Sequence, residues 1–296
     1  MRIGKKEFRT DGTETYLMGI LNITEDSFSD GGRYREPEMA VRHALEMIEE
    51  GADLLDLGAE STRPGFKEIP ADEELERLLP VIEHLKRETD IPLSIDTRKA
   101  RVMDAALAAG GDLANDIWGL RFAEFHKETG PTMAEVIARH RKPAVIMHQD
   151  LFGRNEEERT EKEAEGLSPD ARNNVILRVR EGLDRSLAIA EQAGIPKDQL
   201  ILDPGIGFSK STRESLQLLG HLQKMKRTGE VWLMAASRKS VIGDVLNLPP
   251  EEREEGTLVT SLLAAEAGFS FVRVHNIRPN KRALSFLQAV KNKGTF

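Results

Sequence analysis

Short apolar runs recur along the chain, separated by longer stretches whose apolar residues repeat at intervals of three and four. The first run, over residues 18–23, is apolar at Met18, Ile20, Leu21 and Ile23, as a strand buried on both faces requires. Seven more runs read as strands, at 53–57, 92–95, 113–117, 144–147, 200–202, 231–235 and 271–274. The stretches between them read as helices. One opens at Glu36-Pro37, carries Met39, Val41, Ala44, Leu45 and Ile48 on one face, and closes at Gly51. The next, 72–89, has Leu75, Leu78, Leu79, Ile82 and Leu85 at helical spacing. Further helices are expected over 98–109, 132–141, 168–193, 212–226, 256–267 and 279–292. Ser168 followed by Pro169 gives the 168–193 helix a capping residue and a proline at its first position. Ahead of the first strand, RTDGTE at 9–14 reads as a hairpin turn.

Strand and helix thus alternate eight times. That alternation predicts a parallel sheet, and eight units of this length close into a single (β/α)8 barrel over residues 1–296, an α/β fold with a short N-terminal β-hairpin against its bottom. An open doubly wound sheet would want a G-x-G-x-x-G loop after a strand, and none follows any strand here.

Composition narrows the function classes. A net charge of −8 argues against a general nucleic-acid surface, so an anionic ligand must find a local basic pocket. Zero cysteines exclude disulfides and thiolate metal sites. No run approaches the apolar length of a membrane span, and MRIGKKEFRT has no apolar segment after its basic residues. A cytoplasmic protein is expected. The charge-dense stretch 153–166 reads as a solvated excursion rather than a binding patch.

Chemistry gathers where the strands end. Asn22, Asp56, Asp96, Asn115, His148, Asp203, Lys239, Arg273 and His275 all lie at or near strand exits, which in a barrel face one mouth. Asp96, Asn115 and Asp203 sit within or against apolar runs, and a buried carboxylate without partners costs several kcal/mol. Paired carboxylates and an amide suit a flat heterocycle with adjacent N–H groups, read edge-on. A second, cationic set comprises Arg63, Arg238, Lys239, Arg273 and His275, and late barrel loops commonly hold phosphate. Asn22 with neighbouring acids could hold Mg²⁺ through oxygen. The first loop, Thr24 to Gly32, ends in two glycines that free the backbone.

These residues fall into a recognisable set of motifs: MGILNITEDSFSDGG, GADLLDLGAESTRPG, SIDTRKA, ANDIWG, VIMH, ILDPGIGF, SRKSVIG and VRVHN. The chain resembles the dihydropteroate synthases, pterin-binding barrels that join a pterin pyrophosphate to p-aminobenzoate and are sulfonamide targets. The resemblance implies that Asp96, Asn115, Asp203 and Lys239 hold the pterin, with Arg238 stacking on its ring. It implies that Arg63, Arg273 and His275 hold pyrophosphate, with Asn22 acting through Mg²⁺. Phe28, Thr62, Pro64 and Ser240 would line the aminobenzoate pocket, and Asp30 would stand beside the reacting methylene. It also implies a homodimer formed by helices away from the mouth. Glu25, Gln149, Ser215 and Asn276 depart from the usual residues of the family, and none replaces a principal ligand. A methyltetrahydrofolate-dependent corrinoid methyltransferase would share the pterin acids but has no use for the STRPG loop or the phosphate cations. A non-catalytic pterin-binding protein would bind the heterocycle without releasing pyrophosphate.

Overall fold

A computed structural model describes residues 1–23, 36–60, 68–125, 130–150 and 167–292. Eight parallel strands close a barrel: β3 (Tyr16–Asn22), β4 (Leu54–Gly58), β5 (Leu93–Asp96), β6 (Leu113–Asp116), β7 (Ala144–Met147), β8 (Leu200–Asp203), β9 (Val231–Met234) and β10 (Phe271–Val274). Each pairs with the next, and β10 pairs with both β9 and β3 to complete the ring. The expected fold is the observed one.

The strands are buried on both sides, and period-two alternation separates two apolar layers. Leu17, Leu21, Leu55, Leu57, Ile95, Ile146, Leu202 and Trp232 belong to the outer core, between strands and helices. Met18, Leu54, Leu113, Val145, Ile201, Leu233 and Phe271 form a separate inner cluster that fills the floor of the barrel.

The N-terminus plugs that floor, although not through the turn at 9–14. β1 (Arg2–Ile3) and β2 (Lys6–Glu7) pair antiparallel around a turn at Gly4, whose φ is +59°. Ile3 and Phe8 join the inner cluster, and the Phe8 ring lies 4.9 Å from Tyr16 and 5.4 Å from Phe271 between centroids. Residues 9–14 form only a bend, in which Asp11 accepts a hydrogen bond from the Thr13 amide. The hairpin was misplaced because D-G is a strong turn signal, whereas the true strands have only two residues each.

The helices lie outside, with two differences from the spacing. The 168–193 helix is broken into Pro169–Arg172 and Val175–Gln192, because the Asn174 side chain accepts from the amides of Ile176 and Leu177 and caps a second start. The 212–226 helix is interrupted between Thr212–Leu219 and Leu222–Met225. Helices at Phe122–Phe125 and Ser240–Leu246 have no counterpart in the apolar periodicity. Among the described residues, no helix is long and apolar enough to cross a membrane.

Candidate active site

The mouth is built by continuing the inner columns of the floor upward. Two residues beyond Leu54, Leu113, Ile201 and Phe271 stand Asp56, Asn115, Asp203 and Arg273, and two beyond Ser94 stands Asp96. Alternation makes each of these point inward.

Arg273 organises one side. Its Nε donates to Asp56 Oδ2 at 2.6 Å and its Nη2 to Asp96 Oδ2 at 2.8 Å. The Asn115 amide donates to both Asp56 oxygens, at 3.1 and 3.0 Å, which leaves its carbonyl oxygen as an acceptor for a ligand. Burial pushes the Asp96 carboxyl up to about 7, with Arg273 opposing and Asp56 reinforcing the shift. Near neutral pH this group therefore stands between acceptor and donor.

Asp203 and Lys239 form the other side. Asp203 is buried and accepts from the Gly205 amide at 2.8 Å. Burial raises its pKa, against the pull of Lys239. Lys239 Nζ donates to the Ile206 carbonyl at 2.6 Å and sits 4.5 Å from the centre of the Phe208 ring. Burial lowers the lysine to about 8, with Asp203 opposing. Lys210, also buried, donates to the carbonyls of His148, Gly205 and Phe208 at 3.2, 3.0 and 3.2 Å, fixing the loop that carries these groups. Gly205 is required there, since a Cβ would fall 1.9 Å from the His148 oxygen and φ is +67°.

Beneath that loop His148 packs on Gly182, where a Cβ would lie 2.3 Å from the imidazole ring. Burial holds His148 well below the ordinary histidine range, so the ring is neutral. Asp150 accepts from Arg178 at 3.0 Å, and Arg178 also pairs with Glu214. This group braces the mouth from behind.

The cations divide. His275 Nδ1 lies 3.0 Å from Ser237 Oγ, at the ends of β10 and β9. Arg238 stands at the rim, half-buried, with Nη2 4.0 Å from Glu254 Oε2. Arg273, expected with these two, is instead engaged by Asp56 and Asp96. Ser240 is exposed at the first position of helix Ser240–Leu246. Asn22 ends β3 half-buried. Phe28, Asp30, Thr62, Arg63 and Pro64 lie outside the described residues, as do the loop 24–32, Glu25 and the stretch 153–166. Of the family departures, Ser215 is buried in helix Thr212–Leu219, Gln149 follows β7, and Asn276 precedes helix Ile277–Lys291.

Asp56, Phe208 and Lys210 were not assigned roles from sequence. Asp56 carried a signal, a carboxylate inside LLDLG, the same kind of signal that marked Asp96. Lys210 carried none, because a lone lysine in a polar loop ordinarily faces solvent.

Among the described residues, no group of three or more His, Cys, Asp or Glu side chains could hold a metal ion. Asn22 offers one neutral oxygen, which suits Mg²⁺ only where waters and substrate phosphates complete the shell.

Comparison with known proteins bears on this mouth. The family model described as pterin binding enzyme matches residues 18–275. A dihydropteroate synthase of Clostridium beijerinckii is 43% identical over 284 residues, covering 96% of each chain. A Xanthomonas albilineans dihydropteroate synthase structure with 4-aminobenzoic acid superposes with a TM-score of 0.82 at 41% identity, covering 94% of this chain and 93% of the other. The same bacterium's enzyme in complex with 7,8-dihydropteroate gives 0.79 at 39% identity, covering 94% of both chains.

Proposed function

The chain belongs to the pterin binding enzyme family, and from that premise we infer that its reaction is the dihydropteroate synthase reaction. It is a transferase that condenses hydroxymethyl-dihydropterin pyrophosphate with p-aminobenzoate, giving dihydropteroate and pyrophosphate. The observation that carries this is the pairing of a buried acid–amide cluster, Asp56, Asp96 and Asn115 on Arg273, with Asp203 and Lys239 across one mouth. Such a site reads the N–H edge of a flat heterocycle.

Asp96, Asn115 and Asp203 serve as the pterin's acceptors, and Lys239 faces its carbonyl side. The placement of Arg273 favours a role in this pocket, as counter-charge to the acids and floor of the ring, rather than in the anion site. Arg238, expected to stack on the ring, stands instead at the rim beside Glu254, and we assign it to the pyrophosphate together with His275 and, by the resemblance, Arg63. By the resemblance, Phe28, Thr62, Pro64 and Ser240 would serve the aminobenzoate pocket, and Asp30 would serve the reacting methylene.

In the reaction the methylene C–O bond breaks with its electron pair leaving on pyrophosphate. The amine nitrogen supplies the pair for the new C–N bond and releases its proton to solvent. The pterin shares the positive charge left on the methylene, so no protein nucleophile is required. The chain's own contribution is to orient the ring and to stabilise the departing anion.

Mg²⁺, held by Asn22, would add positive charge at the pyrophosphate. Calorimetric titration with pyrophosphate tests this: Mg²⁺ should strengthen binding, and Asn22→Ala should remove that gain. A second copy of the chain fits the exposed apolar stripe Val259, Leu263, Phe286 and Val290, spaced by four on two neighbouring helices, and a homodimer is expected in sedimentation. A cytoplasmic location suits the cysteine-free composition.

Incubation with the pterin pyrophosphate, p-aminobenzoate and Mg²⁺ should yield dihydropteroate and pyrophosphate together. Tight pterin binding without pyrophosphate release would instead make this a non-catalytic binder.

A further inference from the structure

The backbone at Arg238 is left-handed, with φ +59°, a conformation that residues bearing a Cβ rarely adopt and that commonly marks functional turns. Side chains from a different element hold both of its peptide groups. The Arg238 N–H donates to Thr257 Oγ1 at 3.1 Å, and its carbonyl accepts from Arg253 Nη1 at 3.0 Å. Thr257 is fully buried and its own hydroxyl donates a hydrogen bond to the Arg253 carbonyl at 2.9 Å, which leaves a lone pair for the Arg238 amide. Arg253 is fixed in turn by its Nε bond to the Leu248 carbonyl at 2.9 Å.

The surrounding sequence is adapted to this arrangement. A Cβ at Gly243 would lie 2.1 Å from Arg253 Nη2 and 2.2 Å from its Cζ, so a side chain there would displace the guanidinium from this position. That explains a glycine in the middle of helix Ser240–Leu246, where it weakens the helix itself. The held turn leads directly to the site. The Lys239 amide donates to the Ala236 carbonyl at 3.2 Å, and the Lys239 ammonium reaches the Ile206 carbonyl beside Phe208.

We propose that Arg253 and Thr257 are positioning residues, a two-point clamp that keeps the Arg238 backbone left-handed and so aims Arg238 and Lys239 into the mouth. This rests on the reading of Arg238 and Lys239 as ligand-binding residues. A merely structural pair would lower thermal stability and leave ligand affinity alone, so the test reads affinity and coupling.

The probe is hydroxymethylpterin, which lacks phosphate, titrated by calorimetry alongside kcat and KM for the pyrophosphate. Thr257→Val should weaken pterin affinity and raise KM on the order of tenfold, with the circular dichroism spectrum unchanged. Thr257→Ser keeps the hydroxyl and should behave as the parent. Arg253→Lys, which loses the forked donor, should repeat the Thr257→Val defect and serves where that variant folds poorly. In an Arg238→Gly background the left-handed turn is unstrained, and adding Thr257→Val should then cost less than about twofold. Unchanged affinity in both clamp variants overturns the proposal, as does an equal loss with and without Arg238→Gly. If Lys239→Met leaves pterin affinity intact and Arg238→Gly leaves pyrophosphate affinity intact, the ligand-binding assignment fails first and the clamp falls with it. If those two variants lose affinity while Thr257→Val and Arg253→Lys do not, the clamp alone is wrong.

Discussion

The floor and the mouth of this barrel are made by the same strands, one alternation apart, and they follow opposite rules. Leu54, Leu113, Ile201 and Phe271 form the floor, and two residues later Asp56, Asn115, Asp203 and Arg273 form the mouth. The floor is plugged by Ile3 and Phe8 and gains stability from every buried side chain. The mouth buries charges whose desolvation works against folding, and Arg273 only partly offsets this by bridging two carboxylates. The lower ring holds the fold, and the upper ring keeps groups in states that a ligand can use.

The largest expected effect comes from removing the bridge. Arg273→Met leaves Asp56 and Asp96 without their shared cation and should destabilise the protein by about 3–5 kcal/mol, partly relieved when Asp96 takes up a proton. Pterin binding should be lost as well. Urea denaturation with calorimetry measures both, and retained binding would separate Arg273 from the pterin pocket. The matching change in the floor, Phe8→Ala, should also cost about 3–5 kcal/mol by opening a cavity against Tyr16 and Phe271. Its kcat/KM, measured well below the melting temperature, should stay at the parent value. A Phe8→Ala enzyme that is stable but inactive would break the division between the two rings.

Asp203→Asn should act on the ligand rather than the fold. The Gly205 amide can still donate to the remaining carbonyl oxygen, while one acceptor facing the pterin becomes a donor. A loss of about 2–4 kcal/mol in pterin affinity is expected, with little change in denaturation midpoint. Equal affinity would mean that Asp203 serves only the Gly205 turn.

How much of this was legible in sequence follows from the same contrast. The barrel was readable because strands buried on both faces appear as unbroken apolar runs, and helices such as Ala71–Glu88 show their burial at i, i+3 and i+4. Asp96, Asn115 and Asp203 were readable because a polar residue stands out in such a run. The partnership of Arg273 was not, since the guanidinium crosses from β10 to carboxylates on β4 and β5, and long-range pairing leaves no local trace. Helix Ser240–Leu246 was missed for a related reason. Its Gly243 serves Arg253 rather than the helix, so local propensity pointed the wrong way.

A slope with pH separates the two rings most cleanly. Asp96 is held near 7 in the folded protein, against an ordinary value of 3.8. Between those two values the folded state binds more protons than the unfolded state, so stability falls as pH rises toward 7 and then levels. Lys239 works at the other end. Its folded value is about 8 against 10.5, so the unfolded state binds more protons in that window and stability rises as pH climbs through it. Asp96→Asn should reduce the acidic slope to the part that Asp203 contributes, Lys239→Met should flatten the alkaline one, and Phe8→Ala should lower the whole curve without changing its shape. Pterin binding should weaken as pH falls below about 7, where Asp96 becomes protonated and ceases to be a pure acceptor. Denaturation midpoints across the pH range, taken with and without a pterin, measure all of these together. An Asp96→Asn curve parallel to the parent's would show that the acidic slope arises elsewhere than at Asp96, with Asp203, also raised by burial, the next group to replace.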